Sequence, residues 1–241
     1  MDFVGIDKFS LLDFEDRISC VLFCKPCNYR CPFCHYGTTV LEAETVIPFE
    51  DILEYLESRK GLIDAVVVSG GEPTLMPDLK EKIIKLKELG FLIKLDTNGT
   101  NPEVVKDLYE NHLIDYVAMD IKNSFVKYAI TVGVKNASLD KISQTIKFLM
   151  TSGIDYEFRT TLIDEFHNEQ DMRDIAETIK GAKRLYLQKY VDRESCIAHG
   201  YHEVSKEKAE RFVDILKGNI EQVALRGYWD GFLLRSRLTN R

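Results

Sequence analysis

Cys27, Cys31 and Cys34 stand at C-x3-C-x2-C spacing within the loop Phe23-Cys24-Lys25-Pro26-Cys27-Asn28-Tyr29-Arg30-Cys31-Pro32-Phe33-Cys34-His35. Five of the six cysteines fall between Cys20 and Cys34. Thiolates this close in sequence can converge on one iron–sulfur cluster. Three protein ligands leave one iron of a 4Fe–4S cluster open, and an open iron admits a second ligand and its chemistry. Structural zinc is the alternative, because Cys24 and Cys27 also form a CxxC just ahead of the CxxC of Cys31 and Cys34. Zinc ribbons place a long excursion between such pairs, whereas the spacer here is only Asn28-Tyr29-Arg30, which favours the cluster.

Further polar groups recur at the ends of apolar runs. Ser69-Gly70-Gly71-Glu72-Pro73 follows residues 65–68, and Asp96-Thr97-Asn98-Gly99 follows residues 91–95. Asp120-Ile121-Lys122 follows residues 116–119, Arg159 lies within 156–162, and Gln188 lies within 185–190. Two adjacent glycines let the backbone approach a ligand closely, and Glu72 can accept from an ammonium group. Each group alone has an ordinary explanation: a plain turn at Gly70-Gly71, or Lys122 paired with one aspartate. Several successive strands presenting polar groups at one end point instead to a shared ligand.

The elements that must hold these groups alternate. Runs rich in β-branched residues at 18–23, 65–68, 91–95, 116–119, 156–162 and 185–190 have the length of buried strands. Between them, Leu79, Ile83 and Leu86 share a helix face stopped by Gly90, and Asn101-Pro102 opens another helix. Leu139, Ile142, Ile146 and Leu149 make a stripe ending at Gly153; Met172, Ile175, Ala176 and Ile179 make one ending at Gly181. Ala209, Phe212, Val213 and Leu216 predict a last helix before Gly218. Six strand–helix units imply parallel strands with right-handed crossovers, in a barrel or a doubly wound sheet. Both put sites at the carboxyl ends of strands. Cys20 and Cys24 share one side of the first strand, Cys20 as a small buried apolar group, and Cys196 lies in a polar loop. Trp229 is expected to pack the tail on the barrel.

With 241 residues and 45% hydrophobic content, the chain can bury a large core, and one domain over 1–241 is the simplest organisation. A net charge of −7 argues against a general nucleic-acid binder. No run approaches the ~20 apolar residues of a membrane span. Clustered cysteines without a secretion signal favour metal ligation in a reducing cytoplasm.

The cysteine motif, the aromatic Phe33 and the Gly-Gly-Glu-Pro segment together resemble the radical S-adenosylmethionine superfamily. Residues 95–99, 115–122 and 156–161 are most similar to the glycyl-radical-enzyme activating proteins, and among those to the activator of anaerobic ribonucleoside-triphosphate reductase. The resemblance covers about residues 18–190 and implies a partial (β/α)6 TIM-type barrel of parallel strands with an extension over about 200–241. It implies that Cys27, Cys31 and Cys34 hold a 4Fe–4S cluster whose free iron takes the amine and carboxylate of S-adenosylmethionine. Gly70, Gly71 and Glu72 would meet the amine, and Phe33, Cys34 and His35 would lie near the adenine. Asp120, Ile121 and Lys122 would reach the carboxylate and ribose, with Arg159 and Gln188 completing the cofactor set. It also implies a monovalent cation at Asp96, Thr97 and Asp120.

The implied activity is reductive cleavage of S-adenosylmethionine to a 5′-deoxyadenosyl radical, which takes a hydrogen from a glycine of a partner enzyme. A flavodoxin or ferredoxin supplies the electron, and no side chain is needed as general acid or base. A radical enzyme acting on a small molecule, such as a modified nucleobase precursor, and a zinc-stabilised binding module are the alternatives. The sequence departs from the family at Tyr36, where an asparagine often stands, and at Val191, in the region of a late histidine for which Gln188 is the candidate substitute.

Overall fold

Alternation of apolar and polar residues decides which face each strand buries. The computed structural model describes residues 3–37, 41 and 45–228, so Trp229 lies outside the described residues. β1 (Phe3–Ser10) runs antiparallel to β2 (Ser19–Cys24). β3 (Ala65–Gly70), β4 (Leu92–Thr97), β5 (Tyr116–Asp120), β6 (Asp155–Leu162), β7 (Arg184–Lys189) and β8 (Gln222–Arg226) then add in parallel, in chain order. The sheet begins at β1 and ends at β8 without joining them, which makes a partial barrel.

Helices return the chain between parallel strands. They are α1 (Phe49–Glu57), α2 (Leu79–Glu88), α3 (Pro102–Glu110), the single turn α4 (Tyr128–Thr131), α5 (Leu139–Ser152), α6 (Glu169–Thr178) and α7 (Lys206–Leu216). Local chemistry sets their ends. Pro102 occupies the first turn of α3, and Gly153 stops α5 at a φ of 90°. Asn168 and Asp171 form a capping box on α6. The expected helices and the six expected strands are all present. β1 and α1 were not foreseen; β8 lies in the expected extension.

Leu22, Val66, Val68, Ile93, Leu95, Val117, Met119, Phe158 and Leu187 lie in the core beneath the helices. Their alternates point into the barrel, and many are charged. Glu157 of β6 takes two 2.9 Å hydrogen bonds from Arg226 of β8, across the intervening β7. Only the concave face permits such a contact. Lys94 lies 3.6 Å from the same carboxylate, and its ammonium also donates to the Asp13 carbonyl. Burial opposes ionisation of Glu157, but Lys94 and Arg226 outweigh it and hold the carboxyl below its usual range.

Breaking a buried pair strands its partners. Glu157→Ala should therefore lower stability by about 3 kcal/mol. Arg226→Ala should cost less, because Arg226 is 29% exposed. Urea unfolding midpoints of the two variants check the order.

Candidate active site

Strands β3 to β7 direct residues at or near their carboxyl ends toward one cavity of about 250 Å³. Cys27, Cys31 and Cys34 line it, as do Phe33, His35, Gly70, Gly71, Asp96, Thr97, Asp120, Lys122, Arg159 and Gln188. Asp96 and Thr97 are the last residues of β4, and Asp120 is the last of β5. Regular hydrogen bonding therefore holds them in place, one or two residues beyond the end of each apolar run.

The cysteine loop has no regular structure, and its neighbours hold it. The Gly71 N–H donates to the Cys24 carbonyl at 2.8 Å, and the Glu72 N–H donates to the Pro26 carbonyl at 3.0 Å. A Cβ on Gly70 would stand 2.4 Å from the Cys24 nitrogen, and one on Gly71 2.5 Å from the Pro26 oxygen. Gly70 also has a φ of 105°. These glycines admit the cysteine loop itself. On another side, the Arg30 N–H donates to the Val132 carbonyl, and the Tyr29 hydroxyl donates to the Ala137 carbonyl. The segment after β7 closes the loop from the far end. The Ala198 N–H donates to the Pro32 carbonyl at 2.8 Å, and the Ser195 hydroxyl donates to the His35 carbonyl at 2.6 Å. Cys196, expected in a polar loop, is buried beside the Phe33 carbonyl.

Glu72 and Ile121 are not among the lining residues. Glu72 is 1% exposed, and the Thr74 N–H, the Thr74 and Thr97 hydroxyls and the Asn98 N–H all donate to its carboxylate. It ties β4 to the turn after β3. Burial raises its pKa, and those donors pull it back. Ile121 points into the outer core, while its carbonyl accepts from the Thr160 hydroxyl.

Between Asp96 and Asp120 stands Arg159. Its Nη1 lies 3.1 Å from Asp96 Oδ2, and its Nε lies 3.0 Å from Asp120 Oδ1. Lys122 reaches Asp120 Oδ2 at 2.8 Å, the pairing foreseen as the ordinary alternative. Repulsion between the two neighbouring aspartates is thus relieved by the chain's own guanidinium. Thr97 turns its hydroxyl to Glu72, away from this group. Burial disfavours the Asp120 carboxylate, but Arg159 and Lys122 win and hold it down to about 2. Asn98, Tyr29, Tyr36, Ser69 and Thr161 also line the cavity and were not singled out as site residues. Asn98 had a signal, since it sits in the same Asp96-Thr97-Asn98-Gly99 run; its amide donates to Asn28 at 2.7 Å, beside Cys27.

Burial pushes the Cys27 thiol up to about 11 and Cys31 to about 12, so each keeps its proton at neutral pH until a metal replaces it. The donor set fits an iron–sulfur cube, which asks for one cysteine per iron. Among the described residues, no three His, Cys, Asp or Glu side chains gather around a single ion. Cys24, which a four-thiolate zinc site requires, is buried in the core and lies outside the cavity lining.

Residues 21–179 match the family model of the Radical SAM superfamily. The chain belongs to this superfamily. Membership implies a 4Fe–4S cluster and S-adenosylmethionine. A Methanocaldococcus jannaschii protein named as a glycyl-radical enzyme activating enzyme is 36% identical over 195 residues, covering 79% of this chain and 80% of that one. Streptococcus suis SuiB bound to S-adenosylmethionine superposes with a TM-score of 0.66 at 17% identity, over 84% of this chain and 48% of SuiB. This chain thus spans about half of SuiB. A domain of pyruvate-formate lyase-activating enzyme from Bacteroides vulgatus gives a TM-score of 0.55 at 21% identity, over 68% of this chain and 99% of that domain. These two likenesses show the shared fold.

Gly71→Ala should displace the cysteine loop and leave less iron bound after anaerobic reconstitution, as measured by iron and sulfide content. Asp120, held below its usual value near 3.8, contributes stability that is complete above that value and lost as pH falls toward about 2. Acid unfolding of the metal-free Asp120→Asn variant should lack that part of the pH dependence.

Proposed function

We propose that this chain installs a glycyl radical on a partner enzyme, and that the partner is anaerobic ribonucleoside-triphosphate reductase. The observation that carries the reading is one cavity uniting Cys27, Cys31 and Cys34 with Asp120, Lys122 and Arg159. The similarity to a named activating enzyme over most of both chains supports it. When bound, the cluster and S-adenosylmethionine supply the one-electron chemistry that yields a hydrogen-abstracting 5′-deoxyadenosyl radical.

The protein's own groups bind and orient. Cys27, Cys31 and Cys34 hold the cluster at one wall. Lys122 stays protonated beside Asp120 and offers charge to a carboxylate. Backbone at Gly70 and Gly71 meets the amine, and Phe33 and His35 flank the adenine. Arg159 keeps Asp120 ionised and fixes both Asp96 and Asp120 in place, and Gln188 reaches the cavity from β7. A monovalent cation at Asp96, Thr97 and Asp120 is part of the proposal. Potassium should then raise the rate over tetramethylammonium, and equal rates would leave that electrostatic role to Arg159.

The reading includes a single domain over 1–241, a flavodoxin or ferredoxin as electron donor, a cytoplasmic setting and no nucleic-acid partner. No helix among the described residues is long and apolar enough to cross a membrane. Reconstituted protein should give a reduced-cluster paramagnetic resonance signal that changes on adding S-adenosylmethionine. Co-incubation with the reductase should produce a glycine-centred doublet. Cys31→Ala should abolish both, and a doublet formed by that variant would falsify the mechanism. A doublet on a different glycyl enzyme alone would move the partner assignment.

A further inference from the structure

The outer wall of the cysteine loop has a distinctive surface. α4 and the turn after it lie directly against the loop: Arg30 N–H bonds the Val132 carbonyl at 2.9 Å, and the rings of Tyr29 and Tyr128 meet edge-on at 6.5 Å. A Cβ on Gly133 would stand 2.2 Å from the Arg30 carbonyl oxygen, so the two backbones touch. On the solvent side of this turn, Val126 is 90% exposed and Ile130 is 67% exposed. Val126 lies in the turn that leads into α4 and Ile130 within α4.

The charge of this wall runs against that of the chain. Residues 24–35 and 123–137 contain Lys25, Arg30, Lys127 and Lys135 and no aspartate or glutamate, while the whole chain has 39 acidic and 32 basic residues. Asp171 pairs with Lys127 at 2.7 Å, which cancels one of the four. The Arg30 guanidinium donates to the Cys27 carbonyl at 2.6 Å and the Tyr29 carbonyl at 2.7 Å, contacts that keep its charge beside the cysteine loop. An apolar centre with a basic rim fits a partner of opposite charge, because such a field steers encounter and sets orientation.

We propose that Val126, Ile130, Lys135 and Arg30 form the docking surface for an acidic, low-potential one-electron carrier protein. This rests on the cluster reading given above. One electron passes from the reduced carrier to the cluster, the carrier is oxidised by one electron, and no covalent bond forms or breaks. The glycyl enzyme must present its glycine to the cavity, where the cofactor lies; the carrier needs only proximity to the cluster, which α4 provides from outside.

The test uses reconstituted wild type, Lys135→Glu and the double variant Val126→Glu/Ile130→Glu, none of which touches the cavity. Calorimetry with oxidised flavodoxin, and separately with oxidised ferredoxin, reads binding. Visible bleaching by the photoreduced carrier reads electron transfer, and dithionite-driven cleavage of S-adenosylmethionine reads the site alone. The variants should bind at least tenfold more weakly and accept electrons at least tenfold more slowly, with dithionite-driven cleavage unchanged. Wild-type binding should weaken with salt, and Lys135→Glu should flatten that dependence. Unchanged binding and bleaching in both variants would overturn the proposal, as would wild type that binds neither carrier. Normal bleaching with a loss of dithionite-driven radical installation would assign the surface to the glycyl enzyme instead and also overturn it. Absence of dithionite-driven cleavage in wild type would sink the functional reading alone, since binding of the oxidised carrier is measured independently.

Discussion

Three thiols must be held at fixed separations by a loop that has no ladder hydrogen bonds of its own. Everything around the loop answers that constraint. Backbone amides and carbonyls cannot be left unpaired when buried. Here they find partners on three separate elements: the Gly70–Gly71 turn, the α4 segment and the chain after β7. The two glycines matter because backbone can approach backbone only where no Cβ intervenes. The barrel is in this sense a frame whose carboxyl end grips an irregular loop from three directions.

The second requirement is charge. The concave face carries Lys94, Asp96, Asp120, Glu157, Arg159 and Arg226, which would be intolerable singly. They are tolerated as linked pairs: Glu157 with Arg226, and Asp96 with Asp120 through Arg159. Lys122 extends the chain of charges to the cavity. The result is a cavity whose polar wall is already paired within the chain, and such pre-organisation lowers the ordering cost of binding. The outer wall of the loop at α4 is different in kind, apolar at its centre and basic at its rim.

Much of the frame was legible in the chain. The strand runs at 65–68 and 185–190 and the helix stripe ending at Gly153 follow local periodicity, and the structure keeps them. β1 escaped because it is an edge strand whose exposed residues Asp7 and Lys8 interrupt the apolar pattern. α1 escaped because its apolar positions, Phe49, Ile52 and Leu56, are separated by acidic residues over only two and a half turns. Most of the expected cofactor residues line the cavity. Glu72 stands in the expected neighbourhood, where four donors from residues 74, 97 and 98 hold its carboxylate beside the cavity rather than in its lining.

The sequence by itself determined what depends on spacing along the chain. The three-cysteine motif, the order of strands and helices, and the assignment of polar residues to one end of the sheet are all local or periodic properties. The tertiary structure alone decided which charges meet. Arg159 lies 63 positions from Asp96 and 39 from Asp120, and no local pattern says that its guanidinium spans them. Nor does any local pattern say that residues 195–198 close over the cysteine loop or that α4 lies against its outer side. Those contacts arise because a curved parallel sheet brings the ends of distant strands within reach, and curvature is a property of the assembled strands rather than of any one of them.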